Sequence, residues 1–174
     1  MKLKGYGIEL EPLSQETADL VRVWRNTPYV LQQMEYQETI TPEMQQKWFQ
    51  SIQNDRFAYF IIKNNGQPFG LIHLADIDKT NQVADAGLFI GEQNFTGTGL
   101  VLGASILLLE HAFYGLGLKK VTAKVREGNI QAEKYNSLLG FKKTEKYNDR
   151  FNRWELEQET FLRLRNRLVA LINP

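Results

Sequence analysis

The sequence of 174 residues predicts an α/β (α+β) fold, a mixed and mostly antiparallel sheet of about seven strands with helices on both faces. Three observations predict it. Hydrophobic periodicity runs in the order β, helices, three β, α, β, α, β, β, α. The three middle strand runs are separated only by short polar breaks, which suits an antiparallel meander. Two later helical runs end on glycine, at Gly115 to Gly117 and at Gly140, the residue that most readily stops a helix. No repeat, linker or low-complexity tract interrupts this order, so residues 1–174 read as a single domain with one core.

Tyr6 to Leu13 alternates Ile8 and Leu10 with Gly7, Glu9 and Glu11, the pattern of a strand. Ser14 then caps a helix over Thr17 to Trp24, whose Leu20, Val21 and Trp24 form one apolar face. Asn26-Thr27-Pro28 interrupts it, because the residue before proline disfavours helix, and a further helical turn runs through Val30, Leu31 and Met34. Thr41-Pro42 opens a third helix to about Gln53, with Met44, Trp48 and Ile52 expected on its buried side. Phe57 to Ile62, the turn Asn64-Asn65-Gly66 and Pro68 to Ala75 read as a hairpin, and Val83 to Ile90 as the next strand. Gly99 to Phe113 is helical, with Leu100, Gly103, Ala104, Leu107, Leu108 and His111 on one face. Val121 to Val125 is a strand and Asn129 to Leu139 a short helix. Phe141 to Tyr147 and Arg153 to Gln158 are the last strands, and Thr160 to Leu171 closes the chain as a helix.

Composition narrows the chemistry. Hydrophobic residues make up 43% and charged residues 24%, and the formal net charge is +1, so no bulk charge draws the chain to nucleic acid or an anionic membrane. No apolar run reaches the length of a membrane span or a signal peptide. The chain has no cysteine, which removes disulfides, thiolate metal sites and a cysteine acyl-enzyme, and fits a cytoplasmic protein. Only two histidines, His73 and His111, are present, so a zinc site or a Ser-His-Asp arrangement has little raw material and no metal is expected.

The most informative segment is Ile90-Gly91-Glu92-Gln93-Asn94-Phe95-Thr96-Gly97-Thr98-Gly99-Leu100, which leaves a strand and opens a helix. The first amides of a helix are unpaired and its dipole favours anions there. Gly97 and Gly99 lack side chains that would keep a phosphate from those amides. By itself the pattern reads equally as a tight strand-to-helix turn. It is not a Walker loop, since Leu100 and Val101 stand where lysine and Ser/Thr are needed, nor a dinucleotide fingerprint, since Leu102 replaces the third glycine.

With a second segment the pattern resembles the GNAT superfamily of N-acetyltransferases. Thr96-Gly97-Thr98-Gly99 sits where that family carries Gln/Arg-x-x-Gly-x-Gly/Ala, with Thr96 read as replacing the usual basic residue or glutamine. Asn129, Ala132, Tyr135 and the closing Leu139-Gly140-Phe141 match the second motif. The resemblance covers roughly Tyr6 to Leu156 and implies a sheet splayed in the middle between Val83 to Ile90 and Val121 to Val125. Acetyl-coenzyme A is implied as cosubstrate. Its pyrophosphate would lie on Thr96 to Val101, and its pantetheine arm against the amides of Phe89, Ile90 and Gly91 with Asn129 and Ala132 beside it. Tyr135 matches the family's usual acid, which protonates the departing thiolate. A neutral amine needs a base, and Glu127, His73 and Asp85 are the candidates.

Trp24-Arg25-Asn26-x-Pro28, followed by Met34, resembles the ribosomal-protein-alanine acetyltransferase branch. Within it, Gly97 to Leu102 and Glu110-His111-Ala112-Phe113 look similar to the enzymes that acetylate UDP-linked 4-amino-4,6-dideoxysugars on the route to pseudaminic acid. Trp24, Arg25, Asn26 and Met34 are thereby implied at the acceptor, with Arg25 holding a phosphate or carboxylate, although Trp24 as core and Arg25 in a buried pair read as well. Peptide N-termini and polyamines are alternative acceptors, and a non-catalytic acyl-coenzyme-binding module is an alternative of another class. The expected partner is a small-molecule amine, with no nucleic acid or membrane, and a homodimer is the candidate assembly.

Overall fold

The computed structural model describes residues 1–172. Among them one sheet has eight strands in the order β1-β2-β3-β4-β5-β6-β8-β7. The strands are β1 (Leu3–Gly5), β2 (Ile8–Pro12), β3 (Ala58–Asn64), β4 (Gln67–Asp78), β5 (Val83–Ile90), β6 (Lys120–Arg126), β7 (Lys142–Lys146) and β8 (Phe151–Glu157). The helices are α1 (Gln15–Arg25), α2 (Pro28–Leu31), α3 (Pro42–Ser51), α4 (Gly99–Glu110), α5 (Ile130–Leu139) and α6 (Gln158–Ile172). Every neighbouring pair is antiparallel except β5 and β6. None of these helices is long and apolar enough to cross a membrane.

The extra strand lies at the amino end. Tyr6 and Gly7, both at positive φ, form a two-residue turn, so the segment expected as one strand from Tyr6 is the second arm of a β1–β2 hairpin. Asn65 and Gly66 make the same kind of turn between β3 and β4. Ser14 and Thr17 close α1 with a capping box, and Thr41 accepts from the Met44 amide to start α3. That helix buries Gln45 and Phe49, while Met44 is 39% exposed. The expected Met44 stripe is therefore rotated, because the Gln45 amide donates to the Ala18 carbonyl at 2.7 Å and turns that face toward α1.

Alternation along the strands sorts the core into two layers. Ile72 and Leu74 of β4, Val121, Ala123 and Val125 of β6, and Leu156 of β8 pack with α4 and α6. Ile61 of β3, Leu71 of β4 and Phe89 of β5 pack with Val21 and Trp24 of α1 and Phe49 of α3. Helix α4 is buried from Val101 to Leu109 without a break, so the single apolar face expected of it is too narrow. It passes between the sheet and α6 with the β1–β2 turn against Gly103, where a Cβ would lie 2.9 Å from that of Tyr6. Its carboxyl end widens into one π turn, His111–Gly115.

Gly140 ends α5 at φ 100°, and a Cβ there would lie 2.8 Å from a Leu164 methyl and 3.1 Å from one on Thr160. Gly140→Ala should lower the unfolding free energy by roughly 1–2 kcal/mol for the left-handed backbone, plus an overpacking cost of about 1–3 kcal/mol. Urea unfolding followed by circular dichroism checks this, and a loss under about 0.5 kcal/mol would contradict it.

Candidate active site

The site is built around a break in the sheet. Strands β5 and β6 pair only from Val83↔Lys120 to Ala86↔Ala123. Beyond that, β5 stays paired to β4 as far as Ile90, and β6 stays paired to β8 as far as Arg126. The two strands are thus held from outside while the space between them opens. Gly91 donates its N–H to the Phe69 carbonyl on β4 at 2.8 Å, and the Ala84 carbonyl faces Thr122 on β6. Strand alternation then turns the peptide groups of Leu88 and Ile90 toward the opening and those of Phe89 toward β4. Of the amides expected there, Ile90 alone faces the gap; those of Phe89 and Gly91 are directed to β4, and Leu88 joins Ile90.

The loop after β5 is a short 3₁₀ turn, Gln93–Phe95, followed by Thr96 and then Gly97 at φ 74°. Thr96, Thr98 and Val101 donate their amides within the loop, to Gln93, Phe95 and Thr98 respectively. The Thr98 hydroxyl donates to the Phe95 carbonyl at 2.7 Å instead of capping α4. The N–H groups of Gly97, Gly99 and Leu100 are left without an acceptor among the described residues. A Cβ on Gly97 or Gly99 would meet nothing within 4 Å, so the space before these amides is open. Free amides facing open space at the positive end of a buried helix are a geometry that favours an anion. The Thr96 hydroxyl is hydrogen-bonded to that of Tyr29 at 3.0 Å. Counted back from Gly97, the motif position assigned above to Thr96 belongs to Asn94, three residues earlier.

On the same face, Asn129 caps α5 by accepting from the Ala132 amide at 3.2 Å. The Tyr135 hydroxyl donates to the Val101 carbonyl at 3.1 Å and lies 2.5 Å from that of Ser105. Burial pushes its pKa up, so it keeps its proton near neutral pH. Tyr135 therefore ties α5 to the first turns of α4, directly behind the open amides.

The other face holds the charged groups. The Asp85 carboxylate, half-buried on β5, accepts from the Thr122 hydroxyl at 2.7 Å, and burial raises its pKa. His73 lies across from Gly87, where a Cβ would come within 2.5 Å of its ring, and stacks on Tyr59 with centroids 4.5 Å apart. Its Nδ1 is sealed without a partner, and burial lowers its pKa to about 4. Burial also raises the Tyr59 pKa to about 12. Glu127 stands exposed in the turn after β6, its amide bonded to the Arg150 carbonyl. Asp85 and His73 are thus brought to one face beside the opening, while Glu127 is at its exposed end.

The four residues implied at the acceptor separate. Trp24 is a buried prop, 3% exposed; its indole donates to Glu92 at 2.9 Å and fills the space a Gly91 side chain would need. The Asn26 amide is spent on both backbone groups of Ile40. Met34 packs on the α1 layer. Arg25 keeps a buried Nε with no acceptor. The segment after α2 reaches across the face: Arg126 donates to the Gln32 carbonyl, Arg150 to that of Glu35, and Asn148 to the Glu35 carboxylate at 3.0 Å. Tyr59, Thr122, Arg126 and Arg150 were not among the residues expected. Two surface cavities of about 290 and 540 Å³ lie toward Met1 and Ile52, and toward Arg56 and Asp78, away from the opening.

The acetyltransferase (GNAT) domain profile matches residues 8–142, and the chain belongs to that family. It is 27% identical over 154 residues to an uncharacterised protein of Methanocaldococcus jannaschii, covering 86% of this chain but only 31% of that protein's length. Among solved structures it is similar to spermidine N-acetyltransferase from Vibrio cholerae in complex with CoA and spermine, with TM-score 0.79, 18% identity, and 91% and 99% of the two chains covered. It is also similar to the N-acetyltransferase PseH of Campylobacter jejuni, with TM-score 0.66, 21% identity, and 87% and 99% covered. At these identities the likeness is one of fold.

A histidine depressed on folding takes up its proton later than in the unfolded chain, so its contribution to stability is complete above pH 6.5 and is lost on acidification toward 4. Allowing for the ring's partial exposure, the loss is about 1–3 kcal/mol. Urea unfolding at pH 7.5 and 4.5 should show His73→Gln losing less stability on acidification than the parent, by that amount. Equal losses would assign the acid sensitivity to other groups.

Proposed function

We propose that residues 1–174 act as one catalytic domain that transfers the acetyl group of acetyl-coenzyme A to a primary amine of a small molecule. The observation that carries this reading is the pairing of a strand opening with free peptide groups and a helix start whose amides of Gly97, Gly99 and Leu100 have no protein acceptor. Those amides would take the pyrophosphate, and Leu88 and Ile90 would pair with the pantetheine arm through an opening of the right kind for an extended chain. Acetyl-coenzyme A, when bound, supplies an activated acetyl group and a thiolate leaving group. A backbone N–H in the opening would polarise the acetyl carbonyl.

Asp85 is the base that the geometry favours. It is half-buried beside the opening, held by Thr122, and its raised pKa makes it a better proton acceptor than an ordinary carboxylate. His73 is stacked on Tyr59 with its Nδ1 buried and unpartnered, and the exposed Glu127 carboxylate has no hydrogen-bond or ion-pair partner among the described residues. Tyr135 returns a proton on the other face, its O–H released from the Val101 carbonyl. The acceptor we favour is a UDP-linked 4-amino-4,6-dideoxysugar, on the resemblance around Trp24-Arg25-Asn26 and Gly97 to Leu102. Screening acetyl-coenzyme A turnover against UDP-amino sugars, peptide N-termini and polyamines tests the reading. No turnover with any of them, alongside intact coenzyme binding, would favour a binding module instead.

Gly99→Val puts a branched side chain into open space before the cradle, so calorimetry should find coenzyme A affinity at least tenfold lower with stability changed by less than about 1 kcal/mol. Unchanged affinity would remove the cradle from the coenzyme site. Tyr135→Phe keeps the ring and removes the proton. Loss of its hydrogen bonds should cost about 1 kcal/mol of stability, while kcat should fall at least tenfold, within the about 10²–10⁴-fold range of general acid catalysis. Turnover equal to the parent's would make Tyr135 a strut between α4 and α5 only.

A further inference from the structure

We propose that Arg25 is an oxyanion-binding residue of the acceptor cleft, so that the molecule whose amine is acetylated carries a phosphate or carboxylate seated on its guanidinium. This rests on the transferase reading above and narrows its acceptor by charge. Arg25 ends α1 one residue beyond Trp24, whose ring lies on Gly91 at the end of β5. Its Nε is sealed from solvent and has no acceptor among the described residues. Among the described residues no carboxylate reaches it within ion-pair distance, and no aromatic face lies under it.

The groups that feel its charge are Tyr59, Tyr36 and His73. Burial raises the Tyr59 pKa and lowers that of His73, so neither of these carries a charge that offsets a cation. Removing a guanidinium from water costs several kcal/mol unless an opposite charge and hydrogen bonds replace its hydration. Its neighbours on α1 and α3 are satisfied: the Trp24 indole by Glu92, the Asn26 amide by Ile40 and the Gln45 amide by Ala18. The Arg25 Nε and the His73 Nδ1 are thus two unpartnered buried nitrogens near one another, beside the ring that covers Gly87, where β5 and β6 part. A guanidinium presents a planar fork that matches an oxyanion bidentately.

The surroundings share its sign. Lys124 rests on the Tyr147 ring at 4.2 Å, and Arg126 and Arg150 donate to backbone carbonyls; none has a carboxylate ion-pair partner among the described residues. Asp85 and Glu35 act on the Lys124 charge, and Glu127 and Asp149 adjoin Arg126 and Arg150 in the chain, without an ion pair to them. Such a wall attracts an anionic amine and repels a polyamine, which needs carboxylates for each of its ammonium groups.

The experiment uses the full chain with coenzyme A saturating, so that the α4 cradle is filled. Pyrophosphate, UDP and succinate are titrated by calorimetry into the parent, Arg25→Gln and Arg25→Lys. At least one oxyanion should bind the parent and lose tenfold or more in affinity in Arg25→Gln, with Arg25→Lys between them; pyrophosphate and UDP against succinate tells phosphate from carboxylate. In the kinetic arm, KM for an anionic primary amine should rise tenfold or more in Arg25→Gln with kcat within about threefold, while KM for its neutral analogue stays put. Equal oxyanion binding by the parent and both variants, or binding by none, would overturn the proposal, as would a parent that prefers a polyamine. If Arg25→Gln does not fold, Arg25→Lys carries both arms. Oxyanion binding lost in the variants, with no amine acetylated by the parent, would leave Arg25 as an anion site and bring down the transferase reading instead.

Discussion

The parallel pairing of β5 and β6 stops at Ala86 and Ala123, and the rest of the molecule is arranged about that interruption. Each strand is committed along its outer edge, β5 to β4 and β6 to β8, so neither can close the gap without breaking a ladder. A strand edge with free peptide groups inside a sheet is unusual, because those groups must be hydrated or paired with something. Here Leu88 and Ile90 carry them at the mouth of a loop that leads straight into an anion-favouring helix start. An extended ligand with a charged end satisfies both features at once.

The sheet also keeps the two halves of the chemistry apart. On the α4 and α5 face lie the open amides and the protonated Tyr135, groups that suit an anionic tail and a departing thiolate. On the α1 face lie Asp85, His73, Tyr59 and Arg25, with the segment after α2 tied across by Arg126, Arg150 and Asn148. The opening is where the two faces communicate. Trp24 holds its upper end in place: its indole fills the space beside Gly91 and hydrogen-bonds Glu92, so the loop leaves β5 in one direction.

Local rules made much of this legible in the chain. Ser14, Thr41 and Asn129 are small polar residues ahead of helical runs, and each caps its helix. Asn65-Gly66 is a two-residue turn because both residues tolerate positive φ. The glycines before α4 mark an exposed helix start for the same reason of short-range sterics. The β1–β2 turn escaped because Tyr6 at positive φ carries no such signal.

What the sequence determined by itself was therefore the order and type of the elements after β1 and the loop at α4, which depend on neighbours within a few residues, and the family, which two such local motifs carry together. Only the tertiary structure decided which of the implied residues meet. A bulge between Ile62 and Lys63 shifts the β3–β4 register by one, so Tyr59, not Ala58, stands opposite His73. Counting out from the turn would have put them on opposite faces. Trp24 and Asn26 were spent on Glu92 and Ile40, outside their own helix, while the Arg25 Nε between them was left without a partner among the described residues. Burial and pairing are properties of the whole packed surface, and no window of sequence contains them.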